Sequence, residues 1–188
     1  AAHCGGDNPE VYVTFDPTYS SNSTLYKGTF HAHPRYPGPA SNPYDIAVVV
    51  FEEPIVGIEP ARLPKPNQFR NLPKDQRFTS VGYGSQEVTN GPGGHQFEYT
   101  DIREYSVGTL NAVNPNWLRI SQNPATGNGG TCYGDSGGPN FLGAGPAETD
   151  VIAGITITGD AFCKSTNVTY RLDIPSARAF LNDYVTLP

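Results

Sequence analysis

Cys132-Tyr133-Gly134-Asp135-Ser136-Gly137-Gly138-Pro139 is the stretch on which the reading of this chain turns. A serine set among glycines can sit on a tight turn with its hydroxyl exposed, because glycine reaches backbone conformations closed to other residues. The neighbouring N–H groups can then converge on one point, as a developing oxyanion requires. A serine hydroxyl is a poor nucleophile unaided, so the stretch has meaning only if a base and an orienting acid lie elsewhere. Alone it is equally a serine in a glycine-rich turn.

Chain order decides where those partners lie. Gly134-Asp-Ser136-Gly-Gly fits the G-x-S-x-G elbow of α/β-hydrolases, in which acid and histidine follow the serine. All four histidines, His3, His31, His33 and His95, precede Ser136, so the elbow has no downstream base. An Asp–His–Ser order needs an aspartate ahead of the histidine; none precedes His3, so that order could use only a later histidine, and none of those has a supporting motif. An order that begins with histidine works: Ala1-Ala-His-Cys4 opens the chain, Asp45-Ile-Ala-Val-Val49 follows, and Ser136 comes last.

Composition narrows the class. The 188 residues hold 21 Gly and 18 Pro, which leaves little room for long helices. A hydrophobic share of 37% with 11% aromatics is enough for a packed core. One domain is expected at this length. The net charge of −6 disfavours nucleic acid as a partner. No apolar run approaches the roughly 20 residues of a membrane span, so no membrane partner is expected. Three cysteines leave one without a partner, and the absence of Met marks a processed chain or a fragment.

The local pattern is short strands punctuated by turns. Strands are expected at 11–15, 29–33, 46–51, 77–83, 101–113, 117–121, 151–158 and 168–172. The run Ile46–Phe51 reads as buried on both faces. Turn clusters fall at Pro34–Pro43, Pro60–Pro66, Asn90–Gly94 and Asn123–Gly130. This predicts an all-β fold. A single C-terminal helix is expected, with Asp173 as N-cap, Pro175 in the first turn and Ala177, Phe180, Leu181 and Tyr184 on one apolar face. His31 and His33 share a strand face, as zinc ligands can, but no third ligand is evident, so no metal is expected. His95 reads as a loop residue. Asn22-Ser-Thr24 and Asn167-Val-Thr169 are glycosylation sequons, the second expected bare because buried.

Ala-Ala-His-Cys, Asp-Ile-Ala-Val and Gly-Asp-Ser-Gly-Gly-Pro, in that order and at about these spacings, closely resemble the chymotrypsin/trypsin-like serine proteases. Fainter likenesses, His33-Pro-Arg-Tyr36, Val81-Gly-Tyr-Gly84 and Tyr170-Arg-Leu172, extend the resemblance along the chain. It implies two six-stranded antiparallel β-barrels and a C-terminal helix, divided here as 1–71, 72–172 and 173–188, with the first barrel incomplete. It implies a secreted serine endopeptidase with no cofactor, a monomer, acting on proteins or peptides and open to protein protease inhibitors.

The resemblance also implies roles for particular residues. His3, Asp45 and Ser136 form the catalytic triad, and the N–H groups of Gly134 and Ser136 form the oxyanion hole. Asp135 pairs with an ammonium freed by propeptide cleavage, which Ala1, two residues before His3, does not supply. Cys132 and Cys163 form a disulfide and Cys4 is the orphan. Gly130, Thr131, Ile157, Thr158, Gly159 and Asn167 shape the primary pocket. Gly130 stands where trypsin-like members carry an acid, so an uncharged P1 residue is expected rather than Arg or Lys. Family strands are implied ahead of Ala1, and the 188 residues alone are expected to be poorly stable and nearly inactive. A catalytically silent homologue used for binding and an ester-directed acyl hydrolase are the rival readings.

Overall fold

The computed structural model describes residues 1–6, 8–38, 43–86 and 88–188, with the backbone alone at Val88 and Thr89. Part of the Pro34–Pro43 turn cluster, residues 39–42, therefore lies outside the described residues.

Two β systems result. β1 (Glu10–Val13), β2 (Tyr26–Ala32) and β3 (Ala47–Phe51) form an antiparallel sheet in that order. β4 (Arg77–Gly82), β7 (Glu104–Val113), β8 (Trp117–Ser121), β9 (Pro139–Leu142), β10 (Ile152–Gly159) and β11 (Thr166–Arg171) close a barrel in the order β10-β11-β8-β7-β4-β9. The hairpin β5 (Val88–Gly91) and β6 (Gly94–Phe97) stands outside both. The one α-helix among the described residues, α1 (Pro175–Leu181), follows the last strand. The fold is thus mostly β with one closed six-stranded barrel. The sequence pointed to two barrels with the first incomplete; the described residues ahead of β4 form a three-stranded sheet.

One strand departs from the sequence pattern. The β-branched run at 46–51 is not buried on both faces, for Val50 is 45% exposed. Val50 shares a strand face with Ile46 and Val48, which pack on the core, but lies toward the end of β3 beyond that contact. Two elements escaped the sequence pattern. Asn90-Gly-Pro-Gly-Gly94 reads as a bare loop but links β5 to β6. β9 begins at Pro139 directly after the glycine run, and only pairing with β4 on one side and β10 on the other makes it a strand.

Two cores fix the site. Phe69, Phe78, Leu110, Leu118, Ile120, Val151 and Ala153 form one of them. Ile46, Ile157, Tyr170, Leu172, Ile174, Ala177, Phe180 and Leu181 form the other, which joins the sheet, the barrel and α1. The helix start departs from expectation. Ile174 is the N-cap, with no side-chain cap bond. Asp173 is engaged elsewhere: its carboxylate takes two bonds from the Arg171 guanidinium, at 2.9 and 2.8 Å, and the Phe69 N–H at 2.8 Å. Both side chains are buried, so this fork ties the 60–70 linker to the end of β11. Among the expected face residues Ala177, Phe180 and Leu181 are buried, while Tyr184 lies past the helix and is partly exposed.

Candidate active site

The short turn Ala2–Cys4 carries His3, and Asp45 sits just before β3 beside the buried Ile46. The two meet across 42 residues. The His3 backbone N–H donates to Asp45 Oδ1 at 2.9 Å, and His3 Nδ1 lies 2.7 Å from Asp45 Oδ2. The Asp45 side chain is fully buried and that of His3 is 24% exposed. A carboxylate only accepts, so Nδ1 carries the proton and Nε2 is left as the accepting nitrogen.

Ser136 and His3 border one cavity of about 350 Å³. They are not hydrogen-bonded to each other here; contacts of this kind commonly tighten only when substrate binds. Gly134 (φ 95°) and Gly137 (φ 86°) flank Asp135 and Ser136 in the left-handed region, which is why the turn needs glycine. Asp135, Gly137 and Gly138 donate their N–H groups to Cys132, Thr156 and Asp135 carbonyls. The N–H groups of Gly134 and Ser136 have no protein acceptor among the described residues.

Of the expected pocket residues, Thr131, Ile157, Thr158 and Gly159 line this cavity together with Cys132 and Cys163, which are joined as a disulfide. A register shift between Thr156 and Thr158 in β10 marks a bulge at Ile157, a core residue that also borders the cavity. Gly130 does not line it. Gly130 packs so closely on the Gln122 side chain that a Cβ there would overlap it, and Gln122 Oε1 accepts the Thr131 N–H at 2.9 Å. Asn167 is also away from the cavity wall, fully buried with its Nδ2 donating to Asn140 Oδ1 at 2.9 Å. Its side-chain nitrogen, the atom a glycan would be joined to, is thus buried and bonded.

Sequence reasoning missed Tyr133, Thr156, Asp160 and Ala161, all of which border the cavity. Asp160 had a local signal, an aspartate opening a loop. Its carboxylate accepts the N–H groups of Lys164, Ser165 and Thr166 at 2.8–3.1 Å. Burial works against its charge, but those N–H groups hold its pKa below the usual carboxylate range.

Asp135 faces a second cavity, of about 190 Å³, which also takes in Gly130, Thr131 and Ser85. Its carboxylate accepts the Gly84 and Cys132 N–H groups at 2.9 and 2.8 Å. Burial outweighs these bonds and pushes its pKa up. The Ser85 hydroxyl in the same cavity is buried without a partner. Cys4 is the free thiol, its Sγ 3.5 Å from the Ser136 carbonyl.

His31 and His33 are drawn into aromatic packing. His33 lies 4.7 Å from Tyr44 and 5.0 Å from Phe180, and His31 lies 5.7 Å from Tyr184.

The structure thus sets a six-stranded barrel beside a smaller sheet, with His3, paired to the buried Asp45, and Ser136 on one cavity. The trypsin family's sequence profile matches residues 1–180, and the chain belongs to that family of serine proteases, which act on proteins. None of the curated proteins compared with the chain matches it. No helix among the described residues is long and apolar enough to cross a membrane.

Proposed function

We propose that this chain is a secreted serine endopeptidase that works through an acyl-enzyme on Ser136. The observation that carries the proposal is the His3–Asp45 pair, 2.7 Å apart on a fully buried carboxylate and opening on the cavity that Ser136 borders. Ser136 Oγ attacks the peptide carbonyl while His3 Nε2 takes its proton and passes it to the leaving amine. Asp45 holds the imidazole tautomer and stabilises the charged ring. The free N–H groups of Gly134 and Ser136 are the oxyanion donors, and loss of one such donor raises a barrier by about 3–4 kcal/mol.

The sheet β1–β3 stands for the family's first barrel, and 72–172 for the second. Asp135 is the residue that would take an ammonium partner: burial opposes the charge of its carboxylate, and it borders one small cavity with Ser85, whose buried hydroxyl is unpartnered. A docked cation offsets that burial and fixes the turn 132–136. The catalytic cavity, walled by Thr131, Ile157, Thr158, Gly159 and the cystine, suits an uncharged P1 residue, since the carboxylate at its edge, Asp160, is occupied by its own loop. Peptide substrates and protein inhibitors that insert a loop are its partners. The disulfide suits an oxidising compartment.

The test is fluorophosphonate labelling of Ser136 in the full-length protein, with parallel turnover of casein and a simple ester. Labelling and casein cleavage lost in His3→Ala support the reading. Ester turnover without casein cleavage makes it an esterase, and no labelling of the activated protein makes it a silent homologue. A peptide library dominated by Arg or Lys at P1 overturns the pocket assignment.

A further inference from the structure

Beside His3 and Ser136, the catalytic cavity is walled by two segments, 131–134 and 156–163. The Cys132–Cys163 cystine ties these segments at one point. Gln122, just past the end of β8 and not itself a wall residue, ties them at a second. Its Oε1 accepts the Thr131 N–H at 2.9 Å and its Nε2 donates to Asp160 Oδ1 at 3.4 Å. Its backbone N–H donates to the Ser165 carbonyl at 3.0 Å, farther along the Asp160 loop.

Packing alone does not account for a glutamine here. Gln122 is 2% exposed, a place where apolar side chains are the rule. A backbone N–H only donates and a carboxylate only accepts, so the two partners fix which way its amide faces. Met would fill similar space and meet neither partner, and Glu would meet only Thr131. Gly130 makes the room, for a Cβ there would overlap the Gln122 side chain. Behind the wall lies another cavity, of about 290 Å³, which Gln122 lines; Thr131, Cys132 and Cys163 border both cavities. The Gln122 amide thus reaches both wall segments without entering the catalytic cavity. One tie leaves two segments free to swing about it, and a second removes that freedom.

We propose that Gln122 is a positioning residue that sets the spacing of the two wall segments and through it the choice among P1 side chains. The proposal rests on the proteolytic reading above and deepens it. Gln122 touches no reacting atom, so it acts on which side chain fits rather than on the chemistry at Ser136. A pocket of fixed width separates side chains that differ by one methylene by about tenfold or more, and a pocket whose walls move loses that separation.

The test uses the full-length, activated protein and N-acyl amino-acid esters that differ only at P1, as Ala, Val, Leu or Phe. Gln122→Met is expected to narrow the ratio of best to poorest kcat/KM by about tenfold, mainly through a higher KM for the best ester. Fluorophosphonate labelling of Ser136 should stay within about twofold of wild type, which separates positioning from damage to the catalytic centre. Gln122→Glu keeps the acceptor for Thr131 but sets a carboxylate against Asp160, and should narrow the ratio as well. An unchanged ratio in Gln122→Met overturns the proposal, as does a parallel fall of all four esters together with labelling. Selectivity kept in Gln122→Glu also overturns it, because the Thr131 tie then suffices without the bridge; this arm decides the matter if Gln122→Met fails to fold. Wild-type turnover with no P1 preference overturns the positioning role and leaves the proteolytic reading standing. If wild type neither labels nor turns over any ester, the proteolytic reading fails first and the role of Gln122 falls with it.

Discussion

Replacing Asp45 by Asn separates catalysis from stability at this site. The amide is nearly isosteric with the carboxylate and keeps one oxygen to accept the His3 backbone N–H, now 2.9 Å from Oδ1. Its NH₂ then stands where Oδ2 now lies, 2.7 Å from His3 Nδ1. Two donors cannot face each other, so Nδ1 becomes the acceptor and the ring proton moves to Nε2, the nitrogen that must accept from Ser136. Loss of the tautomer in a triad of this geometry costs about 10⁴ in kcat. Four decades correspond to about 5.4 kcal/mol of barrier. Stability changes far less, by about 1–2 kcal/mol, because a charge-assisted bond is exchanged for a neutral one. Ester turnover by the full-length protein and its urea midpoint measure the two together. A folded Asp45→Asn protein whose kcat stays within tenfold of wild type refutes the assignment of His3 as base.

Three further outcomes follow from the packing. Asp173→Ala strands the buried Arg171 guanidinium and the Phe69 N–H, so it should lower unfolding free energy by about 3–5 kcal/mol; Arg171→Met added to Asp173→Leu should recover much of that in the same urea titration. Burial, with the Arg35 charge adding to it, holds His33 below its ordinary pKa. The folded state therefore favours the neutral ring, its stabilisation is complete above about pH 6.5 and is lost as pH falls through the lowered folded value. Tm should drop between pH 7 and 5 more in wild type than in His33→Phe. The Cys132–Cys163 bridge spans a sequence separation of 31, so removing both cysteines should lower stability by about 4 kcal/mol on loop-closure grounds and raise KM as the cavity wall loosens; unchanged KM would remove the cystine from substrate binding.

Local chemistry made part of this molecule legible in its sequence. Glycines at 134 and 137 announce a turn that only they can form, and β-branched runs announce β10 and β11. The order of His3, Asp45 and Ser136 points to a histidine-first arrangement, because order is a property of the chain itself. The helix face at Ala177, Phe180 and Leu181 was likewise readable from its spacing. Other features depend on partners far away in sequence. Asp173 reads as a helix cap, but Arg171 and Phe69 claim its carboxylate once β11 and the 60–70 linker come together. Val50 reads as buried, but the core that takes up Ile46 and Val48 on the same strand face does not cover it. Gly130 and Asn167 read as pocket residues, but Gln122 crowds the one and Asn140 binds the other. The ring contacts of Tyr133 with Phe97 and of Phe162 with His95 have no sequence signature at all, because they join three segments that meet only in the folded chain. Backbone conformation and chain order are written one residue after another, whereas which group shares a given lone pair, ring face or cavity is decided by contacts between segments tens of residues apart.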